Sequence, residues 1–438
     1  MFNSINPIQN IHSWGSSTVR SCTKPDFPDF STSCKGKTTL LNTAENLEAM
    51  IEHLGYRVQR NAMNLELEVT KNNEVIFTSF DALRSNLVGW CGRFGLPKIA
   101  IDDHLSAIAE ENCVHPVAKW LEDGNWDGTN RVEKVISCLN AKNPGDAKVV
   151  LQHWLIGCVA SLYEADFSSK LVPIIQGDQS FMKTTAIKRI CSVVSGAFLE
   201  GAELNPDVKD SVLSVIKSWV VELGELERTS RNSQGSLKAF ITRQIDTVRP
   251  PYARIDVQKP RQTHLIASVN GTNFLKDDSG NSRYVVIELK EAVDIKQLNY
   301  LLGWSYEQGR IQLQEPNKLK QFWLEVKHCY ESGKSWNLTP DQVAQFALNN
   351  DKHADKGGWY EILLDRYVLV DDEACTKRLF KATDICDLEK IDKRFVRQVG
   401  QALTRLVAEG KIQSQKGRAN ATYYELKLSR SRDKNGFY

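Results

Sequence analysis

One stretch constrains this chain more than any other: LVPIIQGDQSFMKTTAIKRI, residues 171–190. Its apolar run closes at Gln176 and reads as a buried strand, Gly177 begins a turn, and Lys183, Thr184 and Thr185 open an amphipathic helix. A strand, a tight turn and a helix in that order aim backbone N–H groups and the positive end of a helix at one point. Such a point suits the phosphates of a nucleotide. Against the P-loop pattern G-x-x-x-x-G-K-[ST], Gly177, Lys183 and Thr184 match and Asp178, Gln179 and Ser180 form the turn. Met182 stands where the second glycine is expected, and Ser180 and Phe181 add bulk. The backbone conformation that glycine eases must therefore be taken here by a larger residue.

The surroundings fit an α/β fold. Between residues 141 and 345, apolar strands alternate with amphipathic helices, the pattern of a mainly parallel sheet covered on both faces. The strands predicted are Leu171 to Ile175, Trp219 to Leu223, His264 to Val269 and Tyr284 to Leu289. SWVVELGELE delivers Glu222 and Glu225 to a strand's C-terminal end, where one acid can hold Mg²⁺ or its water and another can orient an attacking water. A pair of surface charges at a strand end is the alternative. HLIASVN ends on Asn270, an amide placed to sense a γ-phosphate. Arg283 stands just ahead of the last strand, as a phosphate-reaching arginine or a plain ion-pair partner. A second GKTT, Gly36 to Thr39, is a decoy: Ser31 occupies the first glycine position and no apolar strand precedes it.

At 438 residues, and roughly 150 per domain, about three domains are expected. Residues 1–35 are Ser, Thr, Pro and Asp rich without periodicity and read as a disordered tail. Residues 36–140 read as a small α/β or helical domain, with a helix through Asn46, Leu47, Met50 and Ile51 and a strand through Leu65, Leu67 and Val69. The apolar run from Val149 to Tyr163 is broken by Gln152 and His153 and is shorter than the roughly 20 residues of a bilayer span. No signal peptide is legible, so a cytoplasmic location without membrane contact is expected. The ten cysteines and eight histidines show neither C-x-x-C nor H-x-x-x-H spacing, which leaves zinc unsupported.

Charge is polarised. Residues 376–438 hold 15 Lys and Arg against seven Asp and Glu, a net +8, which leaves −6 for residues 1–375 of a chain whose total is +2. Within the basic region, residues 346–438, Phe395, Val399, Leu403 and Leu406 share one helical face, Arg394 and Arg397 lie elsewhere, and Gly410 ends the helix. Two short strands follow around a turn carrying Lys416 and Arg418. A helix and then a basic hairpin is the outline of a winged helix, for DNA or for protein contacts. VRPPYARIDVQKPRQTH adds Arg249, Tyr252, Arg254, Lys259 and Arg261 around a Pro-flanked turn. Basic and aromatic residues together suit a strand of nucleic acid, and an ordinary surface hairpin, or arginines that brace a neighbouring subunit, are the alternatives.

Taken together, the WDGTNR turn (Trp126 to Arg131), GDQSFMKTT, WVVELGELE, SLKAFITRQIDTVRPPYAR and SVNGTNFLKDDSGNSRY resemble the virulence-associated E family of phage and mobile-island replication proteins over roughly residues 100–345. The resemblance implies an AAA+-like P-loop core at 141–345, related to superfamily 3 helicases, that binds ATP and Mg²⁺. It implies that Lys183 grips the β/γ-phosphates, Thr184 ligates Mg²⁺, Glu222 and Glu225 share the metal and water-activating roles, and Asn270 is the sensor. It places a DNA-holding hairpin in the interval from Arg249 to Arg261. An arginine finger such as Arg283, supplied across an interface, implies a homo-oligomeric, hexameric ring working on DNA. The chain departs from the family in lacking a glycine-rich turn at 180–182 and a second arginine at Ser282. A nucleotide-binding initiator or regulator without turnover, and a small-molecule kinase, are the other readings. No primase site is legible before Asp102, so a primase would be a separate partner.

Overall fold

A computed structural model describes residues 23–72, 74–76, 79–224, 234–249, 256–271, 274–275, 283–350, 353, 357–370, 375–417 and 421–429. The chain divides after Trp120 into two units. In the first, strands β1 (Phe30–Thr32) and β2 (Thr38–Leu40) pair as an antiparallel hairpin, followed by helix α1 (Ala44–His53). Thr43 caps α1 by accepting from the Asn46 N–H, and Leu47, Met50 and Ile51 form its buried face. Strands β3 (Arg57–Asn61), β4 (Leu67–Lys71) and β5 (Glu74–Val75), helices α2 (Phe80–Phe94) and α3 (Ile99–Glu111), and strand β6 (Cys113–Val114) complete an α/β layer with strand order β5-β4-β3-β6. Helix α4 (Pro116–Glu122) runs across the division.

Part of the segment read from sequence as tail is built onto this unit. Phe27 is buried in its core. The amide of the fully buried Asn46 donates to the carbonyls of Asp29 (2.7 Å) and Leu41 (3.0 Å), tying residues 29–41 to α1. The decoy GKTT forms the turn and second strand of the β1–β2 hairpin, with no helix start to receive an anion. Residues 1–22 lie outside the described residues.

The second unit, from Leu121, contains a five-stranded sheet: β7 (Val172–Gln176), β8 (Phe198–Ala202), β9 (Val220–Leu223), β12 (His264–Val269) and β13 (Tyr284–Glu288), all parallel, in the order β13-β7-β12-β9-β8. Four of these were predicted; β8 is an edge strand whose sequence, FLEGA, carries too few buried residues to stand out. The antiparallel hairpin β10 (Ile245–Val248) and β11 (Val257–Pro260) lies in sequence between β9 and β12. Every residue of β7 is buried, and at about 1.5–3 kcal/mol for each large apolar side chain that burial fixes β7 inside the sheet.

Helices α5 (Val132–Ser137), α6 (Pro144–Tyr163), α7 (Lys183–Cys191), α8 (Lys209–Ile216), α9 (Gln234–Ile241), α10 (Ile295–Leu302), α11 (Pro316–Glu331) and α12 (Pro340–Asn350) surround the sheet, with a small hairpin, β14 (Trp304–Glu307) and β15 (Arg310–Leu313), between α10 and α11. The expected boundary at residue 140 falls instead at 120 because the WDGTNR turn docks on α11. The Asp127 N–H donates to Gln321 Oε1 (2.8 Å), and Glu325 accepts from the N–H groups of Arg131 (2.5 Å) and Val132 (2.9 Å), capping α5. Two tryptophans find carbonyls: the half-buried Trp304 and the buried Trp323 donate to Arg189 and Ile190 at the C-terminal end of α7, at 3.0 and 2.8 Å.

Toward the C-terminus the elements run α13 (Gly358–Tyr367), β16 (Cys375–Phe380), α14 (Ala382–Leu388), α15 (Val396–Ala408), β17 (Gln413–Lys416) and β18 (Thr422–Ser429), with an antiparallel sheet in the order β16-β18-β17. Val399, Leu403 and Leu406 form the buried face of α15, and Gly410 turns the chain at φ +70°. Among the described residues no helix is long and apolar enough to cross a membrane, and no cysteine is in a disulfide.

Candidate functional site

All five strands of the parallel sheet end on the same side, and open α/β sheets bind ligands at that rim, where successive connections diverge. From the end of β7 the chain crosses to β8 at one edge of the sheet, whereas β12 leads to β13 at the other. The residues singled out from sequence at the ends of β7, β9 and β12 meet there.

Between Gln176 and Lys183 the chain turns with Ser180 at φ +70° and Met182 at φ +62°, both left-handed. Gly177 has no room for a side chain: a Cβ there would lie 2.9 Å from the Phe181 ring and 3.2 Å from Leu289. Phe181 is thus folded against Gly177 and Leu289, with its carbonyl accepting from Val293 N–H (3.0 Å), and Met182 is exposed. Met182 provides the N-cap of α7 without any capping side-chain hydrogen bond, so the first amides of this helix lack the partner a Ser or Asp would give.

Lys183 is buried, and its Nζ donates to the carbonyls of Gly177 (2.7 Å) and Asp178 (2.9 Å) and to Asn270 Oδ1 (2.9 Å). Burial pulls the Lys183 pKa below the usual lysine value, opposed by the charges of Asp178 and Glu222. One residue on, the Thr184 hydroxyl donates to Glu222 Oε1 (2.8 Å). Ser268 donates to the same oxygen (2.5 Å), with its Oγ 3.2 Å from Thr184 Oγ1. The other carboxylate oxygen accepts from the Gly201 N–H (2.9 Å), and Glu222 is only 1% exposed. Gly201, at φ +64°, sits in an irregularity of β8 close to Gly224, where a Cβ would lie 3.0 Å from Gly201 Cα. Asp178, Gln179 and Ser180 are exposed on the turn, and Thr185 is half-buried. Glu225 lies outside the described residues.

Lys183, Thr184, Glu222 and Asn270 are thus brought together, and Arg283 is not. Tyr284 pairs with Val172 at the start of β7, so Arg283 occupies the opposite rim, roughly 16 Å away at about 3.3 Å per residue. It cannot reach the turn of its own chain. Among the described residues its Nε is buried without a hydrogen-bond partner.

The residues expected to touch DNA separate into two groups. Lys259 and Arg261 are a correction: both are buried and internally paired. Lys259 Nζ donates to the Ile216 carbonyl (2.5 Å), and burial lowers its pKa to about 8. Arg261 pairs with Asp246 (2.6 Å) over the ring of Phe240. The alternation of β11 turns Lys259 inward, opposite Asp246 in β10, so these cations brace the root of the hairpin rather than face solvent. Arg249 is exposed, and Tyr252 and Arg254 lie outside the described residues. In the C-terminal region Arg394, Arg397 and Lys416 are exposed, with Arg394 3.6 Å from Asp392, and Arg418 lies outside the described residues.

Sequence reasoning missed two members of the cluster. Ser268 lies near the C-terminal end of β12, two residues before Asn270, a position that could have identified it. Gly201 contributes a backbone N–H, for which the sequence carries no signal.

Among curated proteins none matches the chain. The chain is similar to the apo structure of the NrS-1 C-terminal region (305–718), at 11% identity and a TM-score of 0.48 over 86% of this chain and 97% of that one. It is also similar to the A form apo structure of the same region, at 11% identity and a TM-score of 0.47 over 86% and 98%. The model of the virulence-associated protein E-like domain matches residues 121–355, more than half of the chain, from before the WDGTNR turn to beyond α12. The chain belongs to the virulence-associated protein E-like family.

Proposed function

We propose that residues 141–345 are a P-loop ATPase core of the AAA+ and superfamily 3 helicase kind, and that the chain works as a ring-forming, DNA-dependent ATPase in the replication of a phage or other mobile element. One observation carries the reading. Lys183 and Thr184, the first two residues of α7, bond respectively to Asn270, just after β12, and to Glu222 in the neighbouring parallel strand β9.

Each residue has a task in phosphoryl transfer, which depends on positioning and charge neutralisation. In this arrangement the Lys183 ammonium rests on loop carbonyls, and a triphosphate would draw it outward while accepting from the uncapped amides of α7. Thr184 Oγ1 offers the hard oxygen that Mg²⁺ favours, the Glu222 carboxylate beside it supplies negative charge, and the ion would neutralise the β/γ oxygens. The Thr184 and Glu222 oxygens, 2.8 Å apart, fit a cation that keeps most of its waters and takes few protein ligands. Asn270, bonded to Lys183 at present, becomes free to hold the γ-phosphate or attacking water when the ammonium moves. Arg283, too far from its own site along β13, would be delivered to a neighbouring subunit, which calls for a ring. We read the succession α13-β16-α14-α15-β17-β18 as a winged helix, with Arg394, Arg397 and Lys416 toward DNA phosphates.

A second reading, nucleotide binding without turnover, is favoured by one feature: the two left-handed non-glycine residues, Ser180 and Met182, in a turn that glycine usually relaxes. Steady-state hydrolysis of ATP·Mg, with and without DNA, separates the two. A motor gives a DNA-stimulated rate that Lys183→Ala lowers by 100-fold or more, and whose DNA stimulation the combined Arg394→Glu, Arg397→Glu and Lys416→Glu variant removes. Nucleotide binding with no turnover in the intact chain rejects the motor.

A further inference from the structure

We propose that Ser268 is a positioning residue that holds the Glu222 carboxylate toward Thr184 and thereby sets the affinity of the site for its divalent cation. The proposal deepens the nucleotide reading above and rests on it.

Each hydroxyl has one proton, and Ser268 and Thr184 both lie within donor distance of the same oxygen, Glu222 Oε1, at 2.5 and 2.8 Å. If both protons point at the carboxylate, the 3.2 Å approach of Ser268 Oγ to Thr184 Oγ1 is a contact between two lone-pair-bearing oxygens. Such a contact costs energy unless something positive lies beside it. A cation held by Thr184 Oγ1 is the group that would relieve it.

The anchoring is two-sided. Ser268 fixes Oε1 and the Gly201 N–H fixes Oε2 at 2.9 Å, so the carboxylate plane is set by the strands on either side of β9, β12 and β8, before any ligand arrives. Thr184, on α7, is the remaining partner and the one that belongs to no strand of the sheet. At 1% exposure, Glu222 cannot replace a lost donor with bulk water. Removing the Ser268 hydroxyl would leave Oε1 held by Thr184 alone, so carboxylate and threonine would shift together and the oxygen geometry presented to the cation would loosen. Partners that orient a metal's ligands typically change metal affinity by about 10- to 100-fold when removed.

The test measures the free Mg²⁺ giving half-maximal binding of a fluorescent ATP analogue by the full chain, which requires no hydrolysis. Ser268→Ala should raise that midpoint by about 10- to 100-fold. Ser268→Thr, which keeps the hydroxyl, should return it to within about threefold of the wild type, and binding at saturating Mg²⁺ should be little changed. An unchanged midpoint in Ser268→Ala, beside normal Mg²⁺-dependent binding in the wild type, overturns the role of Ser268 and leaves the nucleotide site standing. A raised midpoint that Ser268→Thr fails to restore, with a lowered melting temperature in both variants, assigns the effect to packing and also overturns it. Absence of Mg²⁺-dependent binding in the wild type overturns the nucleotide reading and this proposal with it.

Discussion

Lys183 has its three ammonium donors directed at two loop carbonyls and one amide, which is how a buried cation without a bound anion avoids an unpaired charge. The turn that carries it is strained at Met182, since a left-handed non-glycine residue costs about 1–2 kcal/mol. Met182→Gly should therefore stabilise the protein, by a net of roughly 0.5–1 kcal/mol once the greater freedom of glycine in the unfolded chain is subtracted. Met182→Ala, which keeps the strain, should give no gain. Urea denaturation of the three proteins checks this, and equal midpoints would contradict it. At this scale the legible residues were those at element ends, where residue type and position coincide: Lys183 and Thr184 at the start of α7, and Glu222 and Asn270 at strand ends. Ser268 reads as a neutral residue in an apolar strand, and the Gly201 contribution comes from its backbone.

At the scale of elements, the β10–β11 hairpin shows how charge in a sequence misleads. Arg and Lys near a Pro-flanked turn suggest an outward face. The pairing instead places Lys259 opposite Asp246 on the inward side and leaves Ile245 half exposed. The depressed pKa of Lys259 has a consequence for stability. Below about 8 the ammonium is present in both folded and unfolded chains and the burial penalty is felt in full. Between about 8 and the ordinary lysine value of 10.5 the unfolded chain binds more protons, so stability rises with pH. Denaturation profiles of the wild type and Lys259→Met should diverge in that window, with the wild type gaining relative to the variant. Parallel profiles would show that Lys259 is not buried as a cation. Strand positions were legible for β7, β9, β12 and β13 because buried parallel strands are continuous apolar runs, whereas β8, half solvent-facing at the edge, left no such run.

At the scale of the molecule, the sequence separated an acidic majority from a basic C-terminal region, and that region holds a three-stranded sheet with Arg394, Arg397 and Lys416 at its surface and adjoining helix. Sequence misplaced the first boundary, because the pairing of Gln321 and Glu325 with the WDGTNR turn joins residues nearly 200 positions apart and has no local signature. The family match spans the parallel sheet and the helices that carry its rim. On the proposed reading, the turn from Gly177 to Thr184 holds the phosphates of a nucleotide. Isothermal titration of the full chain with a non-hydrolysable ATP analogue and Mg²⁺ tests this most directly. The account predicts saturable heat at up to one site per chain, weakened at least tenfold by Lys183→Ala at unchanged melting temperature. No heat from the wild type, or equal affinity in Lys183→Ala, would contradict it.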